Sequence, residues 1–125
     1  LKLRKVFFEG AIEELKLLVE KRLGMSFNTA LVNLYQNGDD YVGWHSDDES
    51  LLGTEPTIVS VSLGGSRFFH LRNKKDKSNK NKFLLENGDL FIMGSSIQKV
   101  YQHAILKEKS ATKPRINITL RNVIL

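Results

Sequence analysis

The residues best equipped for chemistry sit near the C-terminal end and at the middle of the chain. Arg115-Ile116-Asn117-Ile118-Thr119-Leu120-Arg121 alternates strictly between polar and apolar. Side chains alternate faces along a strand, so Ile116, Ile118 and Leu120 share one face and Arg115, Asn117, Thr119 and Arg121 the other. Two cations and two hydrogen-bonding groups are an unusual load for one strand face. Upstream, His45-Ser46-Asp47 sets an imidazole and a carboxylate two residues apart, and His103 stands alone further on. Two imidazoles and one carboxylate with open positions are the ligand set of non-haem Fe(II) oxygenases, and the same groups also suit zinc. A planar guanidinium matches a carboxylate through two parallel N–H bonds. A metal-dependent enzyme with a dicarboxylate cosubstrate satisfies both observations. H-x-D is a weak motif by itself, and an edge strand with one face in water also alternates. Two details weigh against that plainer reading: Asn33 and Tyr35 form a second polar pair inside an apolar segment, and the arginine strand follows His103 closely.

These residues need elements to position them. Phe8, Ile12, Leu15, Val19 and Leu23 recur at spacings of three and four, which predicts one amphipathic helix ending near Gly24. Short strands follow, over Thr29 to Tyr35, Thr57 to Leu63, Arg67 to Arg72, Phe83 to Leu85, Leu90 to Met93, Val100 to His103 and Arg115 to Val123. Asn37-Gly38-Asp39-Asp40, Gly64-Gly65 and Asn87-Gly88-Asp89 are the turns between them. One helix and about seven strands predict a mostly β domain, a sandwich or barrel with a helix on one side. His70 reads as structural.

The composition excludes several classes. The chain has 125 residues, 41% hydrophobic and 26% charged, so one soluble domain is the expectation. It has no cysteine, which removes disulfide frameworks, thiolate metal sites and thiol nucleophiles. No apolar run approaches the roughly 20 residues that cross a bilayer, and an intracellular monomer is the expectation. The chain opens on Leu1 rather than Met, as an excised domain would. Nineteen basic against fourteen acidic residues give a net charge of +5, which favours an anionic partner such as nucleic acid. Part of that excess lies in Lys74-Lys75-Asp76-Lys77-Ser78-Asn79-Lys80-Asn81-Lys82, which reads as a loop.

Taken together, Asn33-x-Tyr35, His45-Ser46-Asp47-Asp48-Glu49, Leu63-Gly64-Gly65-Ser66-Arg67, Asn87-Gly88-Asp89-Leu90, Gln102-His103 and Arg115-x-Asn117-x-Thr119-x-Arg121 resemble the AlkB family of Fe(II)- and 2-oxoglutarate-dependent dioxygenases. They follow the family's order over roughly residues 27 to 125, and the text around His45 is most similar to the branch that repairs alkylated DNA and RNA. The resemblance implies a double-stranded β-helix (jelly-roll) core. It implies Fe(II) on His45, Asp47 and His103, and O2 as oxidant. It implies 2-oxoglutarate held by Asn33, Tyr35, Arg115, Asn117, Thr119 and Arg121, with Arg115 on the carboxylate remote from the metal and Arg121 near the metal end. Asp48 and Glu49 would meet the base's exocyclic groups and Arg72 the nucleic acid, while the His45 imidazole would stack on the base. The implied reaction is oxidative demethylation of bases such as 1-methyladenine and 3-methylcytosine. Family members usually carry an N-terminal nucleotide-recognition lid, which this chain would largely lack. Phe7 and Phe8 fall on the helix stripe and read as core. Two other readings stand beside this one: the same chemistry on a protein or small molecule, and a non-catalytic nucleic-acid-binding module.

Overall fold

In the computed structural model, residues 10–48, 50–53 and 56–124 are described. The predicted helix is α1, Gly10–Leu23, and Gly24 ends it with φ +66, a left-handed conformation natural to glycine. Its N-terminal stripe residue Phe8, with Phe7, lies outside the described residues. Eight strands follow: β1 Thr29–Tyr35, β2 Val42–His45, β3 Ile58–Gly64, β4 Arg67–Asn73, β5 Lys80–Leu85, β6 Leu90–Met93, β7 Tyr101–Ile105 and β8 Arg115–Arg121. A six-residue helix, α2 Ser95–Val100, precedes β7.

The strands form two four-stranded sheets, ordered β1-β8-β3-β6 and β2-β7-β4-β5. Every pairing is antiparallel. This interleaved order is that of a double-stranded β-helix, as the jelly-roll expectation requires. Three details differ from the sequence reading. β2 and α2 were not expected, because one is a four-residue strand with an irregular register between Val42 and His45 and the other a single short helix. The lysine-rich segment is shorter as a loop, since Lys80 and Lys82 already belong to β5.

The arginine strand β8 is central in its sheet, flanked by β1 and β3, so it is not an edge strand. Its two faces meet opposite environments. Ile118 and Leu120 join Val59, Val61, Phe27 and Val19 of α1 in a core on the outer side of the first sheet. The polar face turns inward, between the sheets. There it borders a second core built from Ile58, Phe69, Leu71, Leu85, Met93 and Ile105. The helix therefore takes up the apolar half of the alternation, which leaves the polar half for the space between the sheets.

Candidate active site

The register sets the floor of the site. Asn33 pairs with Asn117, Tyr35 with Arg115 and Leu31 with Thr119, while β3 sets Ser60 opposite Thr119 and Ser62 opposite Asn117. All of these alternate onto one face. On the facing sheet His45 pairs with His103. A cavity of about 90 Å³ lies between, lined among others by Asn33, Tyr35, His45, Asp47, His103, Arg115, Asn117, Thr119 and Arg121. Nine residues expected from sequence to form the metal and cosubstrate sites thus surround one space.

At one end stand His45, Asp47 and His103, with their ligand atoms all within 4.8 Å of one another. Asp47 Oδ2 lies 3.2 Å from His103 Nε2, and Oδ1 lies 3.8 Å from His45 Nε2. The Nδ1–H of His45 donates to the Gly43 carbonyl at 2.7 Å, which leaves Nε2 as the free lone pair facing Asp47. The two imidazoles lie 4.2 Å apart, and Phe69 stacks on His103 at 5.3 Å. Burial pushes the Asp47 carboxyl up. The hydrogen bond and charge of His103, then the charges of His45 and Arg121, outweigh it and hold the group below its ordinary value. A carboxylate that stays ionised between two imidazoles is a ligand set ready for a divalent cation.

At the other end lies Arg115, 2% exposed. One Nη donates to Ser62 Oγ at 2.9 Å, yet Nε and the second Nη have no partner. The guanidinium lies 5.3 Å over the Tyr35 ring. Desolvation lowers the Arg115 pKa and raises that of Tyr35. Buried donor nitrogens left without a partner are what an incoming carboxylate can satisfy. Asn117 accepts from Ser60 and donates to Thr119 Oγ1 at 2.9 Å, so the strand's middle is internally bonded. Arg121 keeps a buried Nε without a partner on the side of Asp47. The donors present therefore fit both a divalent metal and a dicarboxylate lying between it and Arg115.

Two further residues shape the site, and sequence reasoning gave neither a role. Gln98, 1% exposed on α2, accepts the backbone N–H of Asp47 at 2.8 Å and donates to Met93 Sδ at 3.6 Å. Ser46 Oγ donates to the Tyr101 carbonyl at 2.7 Å, and Lys74 Nζ donates to the Gln98 carbonyl at 2.9 Å. The segment carrying Asp47 is thus tied to α2, which leads directly into the strand of His103. Arg67, 1% exposed, donates to the carbonyls of Asn37, Asp40 and Leu106, and its guanidinium lies 5.4 Å over the Tyr35 ring. Only a lone glutamine between Ile97 and Lys99, and an arginine opening an apolar strand, marked them in sequence.

The expected substrate contacts stand apart from this cavity. Asp48 is exposed, with an oxygen 4.0 Å from Lys74 Nζ. Arg72 lies on the outer side of the second sheet, where its Nε donates to Gln102 Oε1 at 3.1 Å and its guanidinium covers Trp44 at 4.2 Å. Glu49 lies outside the described residues.

Residues 5–121 match the 2OG-Fe(II) oxygenase superfamily. The chain belongs to that superfamily, in its AlkB branch. Alpha-ketoglutarate-dependent dioxygenase alkB homolog 3 from Bos taurus is 42% identical over 117 residues, which cover 87% of this chain and 41% of that protein. The human alkB homolog 3 is 39% identical over 120 residues, covering 90% and 42%. DNA oxidative demethylase ALKBH2 from Arabidopsis thaliana is 33% identical over 123 residues, covering 81% and 39%. The chain thus spans about two fifths of the length of these curated relatives. The structure of OsALKBH1 superimposes with a TM-score of 0.62 at 29% identity, over 78% of this chain and 50% of that one. An AlkB-type dioxygenase uses Fe(II), 2-oxoglutarate and O2, which agrees with the donors found at the two ends of the cavity. No described helix is long and apolar enough to cross a membrane.

Proposed function

We propose that this AlkB-type chain is a single dioxygenase domain that oxidatively demethylates N-alkylated bases in DNA or RNA. The observation that carries the reading is the pairing of a His45–Asp47–His103 cluster with a buried Arg115 that has two free N–H groups, across one cavity. His45, Asp47 and His103 would hold Fe(II). Arg115 would take the remote carboxylate of 2-oxoglutarate, with Tyr35, Asn33, Asn117 and Thr119 lining the cavity, and Arg121 would balance charge at the metal end. Fe(II) with 2-oxoglutarate supplies activation of O2, with release of succinate and CO2 and hydroxylation of an N-methyl group. The hydroxymethyl product then sheds formaldehyde and restores the base.

The chain's own part is geometry and solvent exclusion. Gln98 and Gly43 fix the two halves of the H-x-D pair, and Phe69 and Ile105 line the space around His103. Bases such as 1-methyladenine and 3-methylcytosine carry a positive charge and pair badly, which lowers the cost of extruding them. An acidic Asp48 and a basic Arg72 suit a cationic base and an anionic backbone. The chain's +5 charge and the demethylase names of its relatives also favour nucleic acid over a protein or small molecule. The chain acts as a monomer in this reading.

The test is release of formaldehyde and succinate with Fe(II), 2-oxoglutarate, ascorbate and a strand carrying one 3-methylcytosine. Methyl-dependent formaldehyde with matching succinate is the expected result. Succinate without methyl dependence would move the reading to another substrate. Neither product from folded, iron-loaded protein would leave a non-catalytic module.

A further inference from the structure

The two sheets of this fold end in different outer faces. The first is apolar and lies under α1. The second carries no helix among the described residues. Phe69 and Leu71 of β4 point into the core, so Phe68, His70 and Arg72 point out. Register places Lys82 beside His70 and Lys80 beside Arg72. Trp44 reaches the same face, edge-on to His70 at 6.3 Å. This face therefore holds three aromatic rings and three cations.

Two of the cations are held in place. The guanidinium of Arg72 lies 4.2 Å over Trp44 and is bonded to Gln102, and Lys82 Nζ lies 4.4 Å over Phe68. Among the described residues none of Arg72, Lys80 and Lys82 is ion-paired to a carboxylate. Ordinary solvated surface mixes charges of both signs, whereas a row of one sign on aromatic platforms suits a polyanion with exposed rings. Burial, against Glu108 and together with Lys82 and Lys80, lowers the His70 pKa. Trp44 and Gln102 each precede a histidine of the metal cluster, so this face is the reverse of the sheet that carries His45 and His103.

We infer that the outer face of the second sheet is a docking strip for single-stranded nucleic acid flanking the modified base. Phosphates meet Arg72, Lys80 and Lys82, and flanking bases stack on the Arg72 plane and on the aromatic edges between them. A duplex turns its bases inward and has no use for the rings, so a single strand is the occupant. This inference rests on the proposed nucleic-acid reading and deepens it.

The experiment compares wild type with Lys80→Ala/Lys82→Ala and with Phe68→Leu, measuring affinity for a strand of about fifteen nucleotides against salt. Each single-strand phosphate contact contributes roughly 0.7 to the slope of log affinity against log salt, so the double variant should lose about 1.4. Phe68→Leu, which keeps bulk and removes the ring, should shift affinity in the same direction by less. On a methylated trinucleotide, too short to cross the face, the variants should match wild type. An unchanged slope in a wild type that binds and demethylates the long strand would overturn the docking strip and leave the function standing. A stronger dependence for duplex would overturn the single-strand occupant. Wild type that neither binds nor demethylates any strand would remove both.

Discussion

Arg115 is the residue whose chemistry is least explained by folding alone. A guanidinium with two buried, unpartnered N–H groups is a standing cost, since each such group forfeits about 1–3 kcal/mol. A carboxylate removes that cost and adds charge-assisted bonds. Arg115→Ala is therefore expected to raise the 2-oxoglutarate requirement roughly tenfold to a hundredfold, from about 1.5–3 kcal/mol for bonds to a charged group. Calorimetric titration of the cosubstrate would measure it, and a larger loss of oligonucleotide binding would count against the assignment. Gln98 acts at one remove. Gln98→Ala leaves the Asp47 N–H without its partner, and loss of such supporting bonds typically weakens metal affinity 10- to 100-fold. Titration with Co(II), read by its visible absorption, checks this independently of turnover, and unaltered affinity would reduce Gln98 to packing.

At the scale of elements, the alternation of β8 predicted its two faces, and the structure explains why both are satisfied: α1 covers one and the cavity occupies the other. The H-x-D pair and the distal histidine were legible because their residue types are rare and chemically specific. β2 was not, because four residues with a glycine and an irregular register carry no periodic signal. α2 was not, because its N-cap Gly94 offers no side-chain bond and six residues make less than two turns. Gln98 was hidden with it. Arg67 closes the Leu63-Gly64-Gly65-Ser66-Arg67 motif, yet its role emerges only when three carbonyls from distant loops converge on it. Removing a partner from such a buried network costs about 3–5 kcal/mol, so Arg67→Ala should lower the denaturant midpoint strongly. At the α1–β1 junction Glu20 accepts the Phe27 N–H at 2.8 Å, and that bond holds its pKa below the ordinary 4.5. A depressed folded pKa gives stability that is present above the unfolded value and lost as pH falls through the folded one. Glu20→Gln should therefore flatten the acid limb of the stability curve below about pH 4.5, with melting temperature against pH as the measurement.

For the whole molecule, closure depends on a few backbone contacts between loops far apart in sequence. Gly38 N–H donates to the Ala111 carbonyl at 2.7 Å and its carbonyl accepts from Glu108 N at 3.0 Å. A Cβ at Gly38 would sit 1.6 Å from the Glu108 carbonyl oxygen, so Gly38→Ala must part the two loops. Its expected effect is a loss of cooperative unfolding or a marked fall in midpoint, read by urea titration. The buried, half-satisfied Arg115 has a consequence of another kind. A ligand that binds only the folded chain raises its stability by RT ln(1 + [L]/Kd), about 2.7 kcal/mol at a hundredfold excess over Kd. If Arg115 takes the dicarboxylate as proposed, the fold itself responds to the supply of that acid. Protease resistance of the chain should then rise and fall with the concentration of that small acid.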